Sequence, residues 1–182
     1  MLSEKFFKKD AETVAKELIG KVITYNGKAA MITETEAYGT TDPFCYGVRY
    51  GKTEKNKVSF EKGGHIFVYA GMFMITTGNR DNDPQNVLIR KADNISCNGP
   101  CNLKKYFGLS AEELNGRTVG EESGIFIEET DDVYSVDTAK RGKFNIEKVV
   151  KDYLRKYTNC KNKAEQIVKL HAEKQWRFSL KK

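Results

Sequence analysis

An asparagine–glycine pair, Asn26-Gly27, separates two alternating runs, KVITY (21–25) and KAAMITETEAY (28–38). A two-residue hairpin turn of the favoured hand needs positive φ at both central positions. Asn-Gly supplies this at little steric cost, so the pair commits this part of the chain to an antiparallel hairpin. Alternation along the second strand places Ile32, Glu34, Glu36 and Tyr38 on one face and Met31, Thr33, Thr35 and Ala37 on the other. Side chains two residues apart on one face stand about 7 Å apart, near enough for two like charges to interact. Two readings follow from the paired glutamates and the tyrosine. One is an edge strand with a solvated face; the other is a catalytic carboxylate beside a stacking platform.

The rest of the chain supplies helices at both ends and further strands between them. Asp10 is placed to cap AETVAKELIG, whose Val14, Leu18 and Ile19 form an apolar stripe ended by Gly20. Gly39 to Lys62 reads as a long loop, and loops of that length within a compact domain are usually functional or disordered. HIFVYAGMFMITTG reads as a strand pair or one bent strand broken at Gly71, NVLIR and GIFIEE as further strands, and NGPCNLKKYFGLS as a turn into a short helix ended by Gly108. From Asn145 to Leu170 the apolar spacing is helical, with lysines on the opposite face. Without a repeat or linker, residues 1–182 read as a single α+β domain with an antiparallel sheet.

Lysines and arginines number 31 against 25 acidic residues, a net charge of +6 that favours polyanionic partners. No apolar run reads as a signal peptide or a membrane span, so the expectation is an intracellular, cytoplasmic protein with Cys45, Cys97, Cys101 and Cys160 as reduced thiols. Cys97 and Cys101 could form half of a metal site, but neither His65 nor His171 completes it at ligand spacing, and no metal is expected.

Taken in order, FFKKDAETVAKELIGKVI, ITETEAYG, TEKNKVSF, GGHIFVYAGM, NVLIRKAD, NGPCNLKKYFGL and the late WRF resemble the alkyladenine (3-methyladenine) DNA glycosylase family. The most specific part is ETEAY followed by GHIFVYAGM and VLIR. The resemblance implies a curved antiparallel sheet with flanking helices. It also implies an enzyme of base excision repair that flips an alkylated or deaminated purine out of DNA and hydrolyses its bond to the sugar. No cofactor and no lyase activity are expected, damaged DNA is the partner, and the chain is expected to be monomeric.

By the same resemblance Glu36 activates the attacking water, with Glu34 as its structural support. Arg90 helps to hold the water and the DNA backbone, a task that suits a planar fork of donors. Burial beside a like charge would raise a carboxyl pKa here. Tyr38, Tyr46, Tyr69 and Thr77 fall at positions lining the base pocket. Lys55, Asn56 and Lys57 lie in the loop that approaches phosphates, with Met72 beside them on the DNA side.

The chain departs from the family pattern at several of these places. Tyr46 stands where the family has a histidine facing the flipped base. VYAGM is two residues short and lacks the tyrosine that wedges into the flipped base's gap, which leaves Met72 or Phe73 as substitutes. Thr77 replaces the asparagine that screens out guanine. A helical insertion occupies about 145–174. Two alternatives therefore stand beside the repair enzyme: a nucleic-acid-binding relative without catalysis, and a glycosylase of single-stranded nucleic acid or nucleosides.

Overall fold

The computed structural model describes residues 1–142 and 144–181. Asn26 and Gly27 both take positive φ, 50° and 70°, and close the hairpin of β1 (Val22–Tyr25) and β2 (Lys28–Tyr38). A second two-residue turn, Ala70-Gly71 (φ 49° and 81°), joins β3 (Ile66–Tyr69) to β4 (Met72–Thr76), so the run broken at Gly71 is a strand pair. β4 pairs with β5 (Asn86–Ala92), β5 with β2, and β2 with β1, which pairs with β6 (Phe126–Glu128). Every pairing is antiparallel.

The edge of β2 away from β5 is shared. β1 takes its first half, and β8 (Arg177–Leu180), which contains the arginine and phenylalanine of WRF, takes its second. β7 (Val136–Ala139), which alternation did not reveal, pairs with β8 and completes an open eight-stranded sheet.

Strict alternation fails at one place on β2. The register with β5 shifts between Ile32 and Glu34 and again between Glu34 and Thr35. An extra residue in a strand turns the following side chains to the opposite faces. Ile32 therefore lies in the main core with Ala37, and Thr35 donates its hydroxyl to the Ala15 carbonyl beneath it (2.7 Å). Glu34, Glu36 and Tyr38 face the other way, so Ile32 does not share their face.

The core face of the sheet is covered by α1 (Glu4–Phe7), α2 (Ala11–Glu17), α4 (Pro100–Phe107) and α5 (Ala111–Leu114). Asp10 caps α2, accepting from the Thr13 amide at 3.0 Å, and Val14 and Ala15 are buried in one core with Ile32, Ile75 and Ile89. Gly108, at φ 71°, ends α4 in the left-handed conformation.

The supposed loop from Gly39 to Lys62 holds a short helix, α3 (Tyr46–Tyr50), and a 3-10 turn at Lys57–Phe60. α6 (Ile146–Tyr157) and α7 (Lys161–Glu173) pack on each other through Val149, Val150, Ala164 and Val168, and Phe44 joins them. α6 is tied to α3 by Asp152, which binds Arg49 Nε (3.1 Å) and accepts from the Tyr50 hydroxyl (2.9 Å). No helix among the described residues is long and apolar enough to cross a membrane.

Candidate active site

The bulge sets the site. Past it, β2 presents Glu34, Glu36 and Tyr38 to the face opposite α2. β5, whose Val87 and Ile89 fill the core, presents Asn86, Leu88 and Arg90 to that same face. The Arg90 fork lies between the two carboxylates: Nε donates to Glu34 Oε1 (2.7 Å) and Nη1 to Glu36 Oε1 (3.1 Å).

Lys91 Nζ meets the other oxygen of Glu34 at 3.0 Å. Burial alone would raise the Glu34 carboxyl, but the hydrogen bonds and charges of Lys91 and Arg90 outweigh it and hold the pKa below the usual value. Two cations within contact thus decide the direction at Glu34. Burial works against the charge of Arg90, yet the facing carboxylates raise its pKa.

Glu36 is 2% exposed. Its Oε2 accepts from the Tyr38 hydroxyl (2.8 Å), and the Gly142 amide approaches Oε1 at 3.4 Å. Burial first, and then the Glu36 charge, push the Tyr38 hydroxyl well above its ordinary pKa, so Tyr38 is a standing donor to the carboxylate.

Tyr38 is also a wall of a cavity of about 180 Å³. An empty apolar cavity of about 150 Å³ accepts a benzene ring, so this one is of a size for a flat heterocycle. Leu88, Met74 and Phe67 form a packed apolar cluster along it, with Tyr69 and Met72 against them. Tyr46 and Phe44 close other sides. Tyr46 stands 5.2 Å from the Tyr69 ring and 4.6 Å from the Tyr50 ring, a series that leads outward to half-exposed Tyr50.

A second buried ion pair braces this region. Arg141 donates to both oxygens of Asp42, with Nη2–Oδ1 at 3.1 Å, and Nη1 also donates to the Ala37 carbonyl (2.9 Å). Neither side chain is exposed at all. The guanidinium is ringed by Tyr38, Phe44, Phe144 and Trp176 at 4.8 to 5.4 Å. Sequence reasoning passed over Arg141, which sits in an aperiodic stretch with nothing beside it to mark it.

Of the expected pocket residues, Tyr38, Tyr46, Tyr69 and Met72 line the cavity, and Thr77 does not. Parity explains this: Met72 and Met74 face the cavity, whereas Phe73 and Ile75 are in the core with α2, and Thr77 continues on their side, fully buried. The same parity removes Phe73 as a wedge. Lys55 and Lys57 are exposed, Lys57 pairing with Glu54 at 3.0 Å. Asn56 is not on the surface. It is fully buried, accepting from Thr53 N (2.7 Å) and Oγ1 (2.9 Å) and donating to the Gly51 carbonyl (2.8 Å), so it shapes the loop that carries the two lysines. Cavity residues that sequence reasoning missed include Phe44, Ser59, Asn86 and Phe144.

Comparison with known proteins identifies the family of the chain. Residues 5–96 match the family model for methylpurine-DNA glycosylase. A Rickettsia felis protein named "Putative 3-methyladenine DNA glycosylase" is 38% identical over 120 residues, covering 60% of this chain and 67% of the relative. Relatives of the same name from Rickettsia rickettsii (37% over 119 residues) and Rickettsia prowazekii (30% over 160 residues) match 60% of this chain each, and 64% and 73% of their own lengths. The matched part thus spans about two-thirds of these relatives.

Proposed function

This chain belongs to the methylpurine-DNA glycosylase family, and on that premise we propose that it is a DNA repair glycosylase in which Glu36 activates water to release an alkylated or deaminated purine. The observation that carries the reading is the buried Glu36 carboxylate, held by Arg90 and by Tyr38, which is itself a wall of an aromatic cavity sized for one base. A target base must leave the stack to be reached, and a pocket walled by tyrosines grips it by stacking.

As the bond between sugar and base breaks, the departing purine takes the bonding electrons and positive charge builds on the sugar. A fixed carboxylate stabilises that charge and accepts the proton of the water whose oxygen bonds to the anomeric carbon. Tyr38 and Arg90 hold the carboxylate in place, so it need not reorganise as charge develops. Water is the only co-reactant, and the product is an abasic site without strand cleavage. Lys55 and Lys57 supply charge toward backbone phosphates. We propose that it works in the cytoplasm and as a monomer.

The test is base release from single- and double-stranded oligonucleotides carrying hypoxanthine, 1,N6-ethenoadenine or methylated purines, with Glu36→Gln alongside. Release by the parent should fall at least about a hundredfold in the variant while DNA binding persists. Equal release by the variant would remove Glu36 from the chemistry, and salt-sensitive binding without release would favour a non-catalytic binding protein. A second reading, action on single strands, is favoured by the tight Ala70-Gly71 turn and by the burial of Phe73, which leave no tyrosine wedge on that hairpin. A clear duplex preference in the same assay would count against it.

A further inference from the structure

With Arg49 set aside for its ion pair to Asp152, two side chains on the cavity wall carry buried polar atoms that have no partner among the described residues, Asn86 Oδ1 and Ser59 Oγ. Asn86 is 3% and Ser59 1% exposed. A buried polar atom left unpaired is costly, and native proteins rarely keep one without a use for it. Neither atom serves the chemistry at Glu36.

The neighbours of Asn86 decide which end of its amide is free. The Cys45 thiol donates to the Pro84 carbonyl (3.4 Å), so its sulfur is left to accept, and Asn86 Nδ2 approaches it at 3.9 Å. Burial pushes that thiol up to about 11, which keeps its proton in place at neutral pH. The amide nitrogen is thereby engaged and the oxygen is the end in want of a donor.

The register places this oxygen relative to the reaction. Glu36 pairs with Leu88, and Tyr38 with Asn86, two residues or about 7 Å further along β5. A purine with its sugar bond at Glu36 and its face on Tyr38 turns its far edge toward Asn86.

We propose that Asn86, with Ser59, reads that far edge and selects purines presenting an N–H there, through acceptance at Asn86 Oδ1. The proposal rests on the glycosylase reading. Adenine-type bases offer an amino group on this edge and hypoxanthine offers N1–H. In 1,N6-ethenoadenine the etheno bridge ties up both nitrogens and no N–H remains. The Ser59 hydroxyl can donate to or accept from the adjacent ring position.

The experiment compares single-turnover release of hypoxanthine and of 1,N6-ethenoadenine from one oligonucleotide sequence, for the parent and for Asn86→Leu, Asn86→Asp and Ser59→Ala. The parent should favour hypoxanthine by about tenfold, the worth of one hydrogen bond. Asn86→Leu should bring the ratio of the two rates near one, Ser59→Ala should lower it by a smaller factor, and Asn86→Asp, which keeps an acceptor, should restore it. Loss of both substrates in equal proportion, or an unchanged ratio, would overturn the proposal. If the parent releases neither base, the two rates carry no ratio, and the glycosylase reading itself fails only when methylated purines are not released either. Equilibrium dialysis of the two free bases against the parent and Asn86→Leu then decides the question: hypoxanthine retained over ethenoadenine only by the parent supports the assignment, and equal retention overturns it.

Discussion

Asp42→Asn keeps the shape of the side chain and removes its charge, leaving the Arg141 guanidinium buried without a counter-ion. Both partners are wholly buried. Removing one member of such a pair costs about 3–5 kcal/mol, because the remaining charge stays out of water. Two features of this site place the cost at the lower end. Arg141 keeps its bond to the Ala37 carbonyl, and four aromatic rings still surround the cation, a desolvated cation–π contact being worth about 2 kcal/mol. A loss of about 3 kcal/mol corresponds, for a chain of this length, to a fall in Tm of about 6–12 °C. Urea and thermal unfolding followed by circular dichroism at neutral pH measure it. Arg141→Met and the double variant complete the cycle, and the double variant should be more stable than the sum of the single losses predicts. Because Gly142, next to Arg141, approaches Glu36, base release should fall with stability in Asp42→Asn. A single variant within about 0.5 kcal/mol of the parent, or strict additivity in the double variant, would refute the claim that this pair holds the region together.

The Glu34 carboxyl is held below its ordinary value of 4.5, so the unfolded chain binds that proton first as pH falls. Its stabilisation is complete above 4.5 and is lost as pH drops through the folded value; the stability gap between the parent and Glu34→Gln should therefore be wide at pH 7 and shrink in acid, as urea titrations at both pH values would show. Asp152→Ala frees Arg49 and Tyr50 together and should cost about 1–3 kcal/mol, with a rise in KM for base release because α3 carries the Tyr46 wall. Replacing Lys55 and Lys57 together by alanine should flatten the slope of log affinity against log salt for duplex DNA by about 1.8, if each meets one phosphate. An unchanged slope would remove this loop from the interface.

Features written in local chemistry were legible in the sequence. The Asn26-Gly27 hairpin, the Asp10 cap, the break at Gly71 and the Gly108 stop each depend on a few adjacent residues, and each stands where expected. The bulge in β2 was not legible, because its extra residue, Thr33, is no glycine or proline to announce it, and alternation counts straight through it. Ile32 was misplaced for that reason alone. Thr77 was misplaced by matching a position without following parity along β4, where Phe73 and Ile75 already point to the core. Asp42 and Arg141 are separated by 99 residues, and neither lies in a periodic segment, so only the folded chain brings them together. Asn86 opens a strand, where a polar residue passes for ordinary punctuation.

The paired glutamates of β2 can now be told apart by what each one touches. Glu34 meets two cations, Arg90 and Lys91, and its charge is largely spent on them. Among the described residues Glu36 shares only Arg90, through one nitrogen at 3.1 Å, and its other oxygen rests on a neutral hydroxyl. By the described residues, the charge of Glu36 is thus the less compensated of the two, although it is the more deeply buried. A site that must meet a developing positive charge needs such a carboxylate, held still but not neutralised. Adding a second cation beside Glu36 would make it resemble Glu34: well anchored, and with little left to offer a sugar cation. The bulge supports this division, since it turns both glutamates to the cavity side while their register against β5 gives Lys91 to Glu34 and Leu88 to Glu36.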